Sequence, residues 1–247
     1  MIFRQLFEPL SSTYTYLLAS EATGEAMLVD PVLPAWQQDL AVLKGLGLRL
    51  RYTVETHVHA DHITAASRLK RETGSRIVYP DIDRFPGVDV NIAEDRPLAM
   101  GDLVLAGLAT PGHTDDHYAY RIGDRVLTGD ALLIDGCGRT DFQNGDARAL
   151  FRSVHDKLFT LPGDTLVYPG HDYHGRRVSC IAQEKARNPR LGAGQDLDAF
   201  VKTMTALNLP YPTFIDYAVP GNRACGVCPD DVPAALRAYC DAAEPAA

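Results

Sequence analysis

The 247-residue chain is 46% apolar and 23% charged, a balance that supplies the core of an ordinary soluble globular protein. A net charge of −8 argues against a nucleic-acid backbone binder, and no apolar run approaches a membrane span. The opening Met1-Ile2-Phe3-Arg4-Gln5 shows neither a signal nor a transit pattern, so a cytoplasmic chain is expected.

Three short strands come first: Ile2 to Leu6, Thr13 to Ala19 and Ala26 to Val29, with a turn at Glu21 to Gly24 and a stop at Asp30-Pro31. Pro34 opens a helix from Ala35 to about Leu46, with Trp36, Leu40, Leu43 and Leu46 on one face. A strand from Leu48 to Glu55 leads to a His-rich loop, and a helix from Ile63 to Thr73 ends at Gly74. Arg76 to Tyr79 is again a strand. After a polar stretch, Leu103 to Leu108, Tyr118 to Ile122 and Val126 to Thr128 are β-like, the last two joined by the tight turn Gly123-Asp124. Helices at about Ala147 to Phe159 and Val178 to Arg187 flank a strand at Thr165 to Tyr168, and Leu197 to Leu207 is one more helix. Residues 208 to 233, rich in Pro and Gly, are read as a surface wrap. This order suits two sheets packed face to face with helices outside, in a single domain over residues 1–247 with a C-terminal extension from about 208.

The most informative run is Thr56-His57-Val58-His59-Ala60-Asp61-His62. Eight histidines occur in the whole chain, and three of them fall here with a carboxylate. Side chains alternate faces along an extended backbone, so His57 and His59 leave the strand end on one side, and Asp61 and His62 follow at the turn. Imidazole and carboxylate together suit zinc, iron or manganese. A helix cap would need one such residue, not four. Three more donors follow predicted strands: His113 in Thr-Pro-Gly-His-Thr, Asp130 in Thr-Gly-Asp-Ala and His171 in Tyr-Pro-Gly-His-Asp. Each is preceded by a glycine, which lets the backbone turn sharply beside an ion. Any one is an ordinary turn residue; together they describe a convergent metal site. His117, His155 and His174 lack that context, and His155 reads as a helix-surface residue. Five scattered cysteines do not make a disulfide framework, and the lone Cys225-Gly-Val-Cys228 reads as a loop with two free thiols.

The segments T-H-V-H-A-D-H, P-G-H-T, T-G-D-A and P-G-H-D resemble the successive motifs of the metallo-β-lactamase superfamily, from about residue 10 to residue 190. The resemblance implies an α/β (α+β) αββα sandwich of two mixed sheets. The run from Gly129 to Asp146, with Gly-Cys-Gly-Arg followed by Thr140-Asp141-Phe142-Gln143, is similar to the sulfur (persulfide) dioxygenases, as is the tail Phe214 to Pro220 followed by Cys225-Gly226-Val227. Glyoxalase II shares the first element only. The dioxygenase resemblance implies one Fe(II) per subunit held by His57, His113 and Asp130, with His59, Asp61, His62 and His171 orienting these ligands. The wider superfamily implies instead two Zn, Fe or Mn ions: one on His57, His59 and His113, one on Asp61, His62 and His171, and Asp130 bridging. All these donors are present, so both ligand sets stay open.

The implied substrates are glutathione persulfide and O2, with sulfite and glutathione as products, and the family implies a homodimer or higher assembly. Glutathione carries two carboxylates, so Arg139 and Arg176 are candidate substrate contacts, with Arg177 beside the latter; Tyr173, two residues after His171, is a candidate because its position resembles that of a glutathione-contacting tyrosine in glyoxalase II. Arg139 has an equally good structural reading as the partner of Asp141 or Asp135. Cys137 reads as a small buried residue rather than a nucleophile. The competing activity is a glyoxalase II-type hydrolysis of acylglutathione thioesters. A non-catalytic metal or sulfur-carrier module built on Cys225 and Cys228 ranks far below both.

Overall fold

The structure is a computed structural model that describes residues 1–82 and 85–240. It contains two six-stranded mixed sheets and several helices, the α/β class expected from the sequence. By packing, Met1–Ile92, Ala99–Val104 and the chain from Tyr211 onward form one compact unit, and Ala93–Leu98 with Leu105–Pro210 form another.

The first unit carries β1 (Ile2–Glu8), β2 (Thr13–Ala19), β3 (Glu25–Val29), α1 (Trp36–Gly45), β4 (Arg49–Val54), α2 (Ala66–Thr73), β5 (Arg76–Pro80) and β6 (Val90–Ile92). Its sheet runs in sequence order. The first three strands form an antiparallel meander, and β3 to β6 pair in parallel. Strand β2 is buried along its whole length, its alternating Thr-Tyr-Thr-Tyr start included, so both of its faces are covered. Leu17, Leu28, Trp36, Leu43, Leu50, Ile63 and Leu69 form the core on which α1 and α2 sit. The parallel strands β3 and β4 end at one edge, the edge where open α/β sheets bind ligands. Gly74, at φ 73°, ends α2 as its sequence position predicts.

The second sheet has the order β12-β11-β10-β9-β8-β7, from β7 (Leu98–Met100), β8 (Leu103–Ala109), β9 (Tyr118–Ile122), β10 (Arg125–Gly129), β11 (Leu166–Pro169) and β12 (Ser179–Cys180). Strand β9 is antiparallel to both β8 and β10, and β10 is parallel to β11. The strands β8, β10 and β11 therefore point the same way, and the loops after them leave one edge. The helices α3 (Ala147–Ser153), α4 (Ile181–Arg187) and α5 (Leu197–Thr205) bury Leu150, Ile181 and Phe200 against Val126, Leu132 and Val167. Asp146 caps α3 by accepting from the amides of Arg148 and Ala149.

Several sequence expectations need correction. The helix expected over 147–159 changes to a π-turn at Val154–Leu158, and there His155 is half-buried, stacking on Phe151 at 3.9 Å with its Nε2 covered. The Pro- and Gly-rich wrap contains a helix, α6 (Ile215–Arg223). Ile215, Ala218 and Asn222 give it one buried face at helical spacing, and that packing offsets the backbone hydrogen bond lost at Pro220. Cys228 is not free: it is bonded to Cys240 across a Cα separation of 5.7 Å, while Cys225 is a buried free thiol. The C-x-x-C spacing drew attention to two neighbours in sequence, but the partner of Cys228 lies twelve residues on.

Candidate metal centre

In the first unit the whole His-rich loop leaves the end of β4, and Asp30, at φ 50°, leaves the end of β3 beside it. Asp30 accepts from the Thr56 amide at 2.7 Å and from its hydroxyl at 3.0 Å. Because that hydroxyl spends its one proton on Asp30, it accepts from Nδ1–H of His57 at 2.9 Å, which makes Nε2 of His57 the lone-pair nitrogen. Nε2 of His59 lies 3.1 Å from Asp30 and 3.4 Å from Glu55, and both carboxylates fix a proton there. Burial alone would lower the pKa of His59, but the charges of Asp30 and Glu55 outweigh it and raise it well above the ordinary value. Burial likewise pushes Glu55 upward. Asp61 receives Nδ1–H of His62 at 3.1 Å. The other nitrogens, Nδ1 of His59 and Nε2 of His62, are buried with no hydrogen-bond partner. His59, Asp61 and His62 each offer a ligand atom within 4.8 Å of the others, a set that could hold an ion.

In the second unit, His113, Asp130 and His171 follow β8, β10 and β11, the three strands that share a direction. The nearest carboxylate oxygens of Asp130 lie 3.5 Å from Nε2 of His113 and 3.6 Å from Nε2 of His171, too far for good hydrogen bonds and close enough to share an ion. Nδ1–H of His113 donates to the Arg139 carbonyl at 2.7 Å, so Nε2 again carries the lone pair. Oδ1 of Asp130 is buried without a hydrogen-bond partner. The glycines explain themselves here. A Cβ on Gly170 would come within 2.7 Å of Oδ1 of Asp130, and one on Gly138 within 2.7 Å of the His113 ring. The Gly-Cys-Gly-Arg turn thus presses backbone against two of the donors.

The sequence missed His117. Its ring is fully buried, receives the Asp130 amide on Nε2 at 3.0 Å, and donates Nδ1–H to Thr110 at 2.8 Å. It holds the backbone that aims Asp130, and nothing in its spacing signalled that. Asp30 and Glu55 were missed too, since each looks like a strand-end acid.

Among the expected substrate contacts, Arg139 makes a two-pronged pair with Asp141 at 2.6 and 2.7 Å and donates to the Pro210 carbonyl. The guanidinium of Arg176 sits between Asp172 and Asp135 and also donates to the Ile134 carbonyl, bracing the loop that carries His171. Tyr173 is 71% exposed, with its ring parallel to that of His171 at 6.2 Å. Burial pushes the Cys137 thiol up to about 11, so it is neutral at physiological pH, as expected of a packing residue. No helix among the described residues is long and apolar enough to cross a membrane.

Residues 9–86 and 74–171 match the family model for the metallo-beta-lactamase superfamily. The chain is 48% identical over 232 residues to the mitochondrial persulfide dioxygenase ETHE1 of Homo sapiens, covering 92% of this chain and 89% of that one. A crystal structure of ETHE1 from Myxococcus xanthus superposes with a TM-score of 0.88 at 53% identity, covering 92% of this chain and all of the other. The hydroxyacylglutathione hydrolase of Rhodospirillum rubrum is more distant, at 34% identity over 188 residues, covering 74% of this chain and 72% of the hydrolase.

Proposed function

The chain belongs to the metallo-beta-lactamase superfamily and, within it, to the persulfide dioxygenases, and we propose that it oxidises glutathione persulfide with O2 and water to sulfite and glutathione. The observation that carries this reading is the likeness to a persulfide dioxygenase over nearly the whole chain. The reaction balances as one persulfide, one O2 and one water giving one thiol, one sulfite and two protons. The outer sulfur is oxidised, O2 is reduced, and the S–S bond breaks.

His57, His113 and Asp130 are assigned to a single ferrous ion. The donor set supports it: two imidazoles with Nε2 lone pairs and a carboxylate with a buried, unsatisfied oxygen match the two-histidine, one-carboxylate pattern of non-haem iron. When bound, that ion supplies a redox-active centre at which persulfide sulfur and O2 meet. The protein supplies position. Thr56 and the Arg139 carbonyl fix the ring orientations of His57 and His113, and His117 fixes the backbone of Asp130. Arg139 is a candidate for a glutathione carboxylate, which would take the place of Asp141 on the same guanidinium fork. Tyr173 offers an exposed ring beside His171 for the tripeptide. Arg176 serves by holding the loop between them.

One observation favours a second reading. Unpartnered nitrogens on His59 and His62 beside Asp61 are what a second ion would need, and two ions would support hydrolysis of acylglutathione thioesters. Anaerobic purification with a metal count separates the two, combined with O2 uptake on glutathione persulfide and hydrolysis of S-lactoylglutathione. One iron per chain with stoichiometric O2 consumption is expected. Two zinc ions with rapid thioester hydrolysis and no O2 uptake would overturn the dioxygenase assignment.

A further inference from the structure

The His-rich loop has a buried anchor more than 150 residues away in sequence. Asn222, in the last turn of α6, is completely buried, and its side-chain amide faces the loop backbone. Its Nδ2 donates to the carbonyls of His59 at 2.9 Å and His62 at 2.8 Å, and its Oδ1 accepts from the Thr64 amide at 2.8 Å. A carboxamide suits such an anchor because it brings two donors and an acceptor in one plane, whereas a carboxylate has no donor and a hydroxyl only one. The Asn222 carbonyl in turn receives the Tyr79 hydroxyl at 2.9 Å, which ties the anchor to β5.

The residues around Asn222 are shaped for the same contact. A Cβ on Gly221 would lie 2.7 Å from Ile63, and one on Gly226 would lie 2.1 Å from the Thr64 carbonyl. Gly226 has φ 91°, so both its space and its backbone require glycine. Between them the Cys225 carbonyl receives the amide and the hydroxyl of Ser67, at 2.9 and 2.5 Å. The segment from Gly221 to Gly226 therefore grips the stretch from His59 to Ser67 with five hydrogen bonds, four of them to its backbone, and two close approaches.

We propose that Asn222 is a positioning residue for the metal centre: by holding the carbonyls of His59 and His62 it sets the loop before an ion arrives. The inference rests on the reading of this loop as metal-binding, but not on one ion or two, nor on the dioxygenase chemistry. Without the anchor, two buried carbonyls lose their partners and the loop must rearrange to reach others. The imidazoles would then no longer be pre-aimed, and ion binding would bear the cost of ordering them.

The test is a metal titration of the full-length protein with Fe(II) and with Zn(II), under anaerobic conditions against a competing chelator. Asn222→Asp removes both donors and keeps the acceptor for Thr64; Asn222→Ala removes all three bonds. Both should weaken both metals by roughly 10- to 100-fold, the usual effect of losing a group that orients a ligand. Hydrogen exchange should show the Thr64 amide released in the Ala variant and retained in the Asp variant. Ala218→Gly, on the buried face of the same helix and in the same packed cluster as Ile63 and Ala65, serves as a control that loosens that packing while leaving the Asn222 hydrogen bonds in place; it should stay within about twofold of the parent. Equal loss of affinity in Ala218→Gly and Asn222→Asp would overturn the proposal, as would a folded Asn222 variant that binds both ions like the parent. Should the Ala variant fail to fold, the Asp variant decides by the same criterion. A parent that binds metal but consumes no O2 would sink the dioxygenase reading and leave this one standing.

Discussion

Gly170 offers a way to move one metal donor without removing it. Its backbone is not in the left-handed region, so alanine there carries no conformational penalty, and only the added methyl matters. That methyl would sit 2.7 Å from Oδ1 of Asp130, about 0.7 Å inside ordinary contact. The backbone of Gly129 lies 3.1 Å away as well, which confines the methyl further. The carboxylate must then shift by several tenths of an ångström, more than the ~0.2 Å that metal–ligand distances tolerate. A displaced ligand should cost about 10- to 100-fold in metal affinity, or roughly 1.4–2.7 kcal/mol. Gly136→Ala is the matched control: it also lacks a positive φ, and its nearest neighbour is the Leu133 Cβ at 3.9 Å. Iron affinity by chelator competition and O2 uptake on glutathione persulfide should both fall in Gly170→Ala and hold in Gly136→Ala. If the two variants bind iron equally well, the assignment of Asp130 as a ligand is wrong.

Asp39 is buried on α1 with one oxygen lacking any hydrogen-bond partner, and burial raises its pKa from 3.8 to about 7. The folded state keeps this proton up to about pH 7 while the unfolded chain releases it near 3.8, so the parent loses stability as pH rises across that window. Asp39→Asn escapes the loss, and urea unfolding should show its advantage growing by about 2–3 kcal/mol between pH 5 and pH 8; a pH-independent gap would contradict the burial argument. The Cys228–Cys240 bond closes a loop of twelve-residue separation, and Cys240→Ser should cost about 3 kcal/mol in the chain-entropy model. Reductant should lower the parent to the same midpoint and leave the variant unmoved.

What the sequence made legible was chemistry that recurs as residue types at short range. His57, His59, Asp61 and His62 occupy one six-residue run, and His113, Asp130 and His171 share a strand–glycine–donor grammar, so each could be found without knowing the fold. The order of strands and helices through Thr73 was legible for a similar reason, because apolar periodicity is local. Residues that act on backbone were not. His117 works by receiving an amide thirteen residues away, and Asn222 by holding carbonyls 160 and 163 residues away. Neither contact leaves a spacing to read, since its geometry exists only once the sheets have formed. The helix within the Pro- and Gly-rich stretch after residue 208 is not legible for the complementary reason: composition reports flexibility of the free chain, whereas Gly221 and Gly226 are small because the His59–Thr64 loop lies against them. A glycine in a tail and a glycine in a clamp are the same letter. Only the distance to the Thr64 carbonyl separates them, and that distance makes the C-terminal segment part of the machinery that presents the histidines.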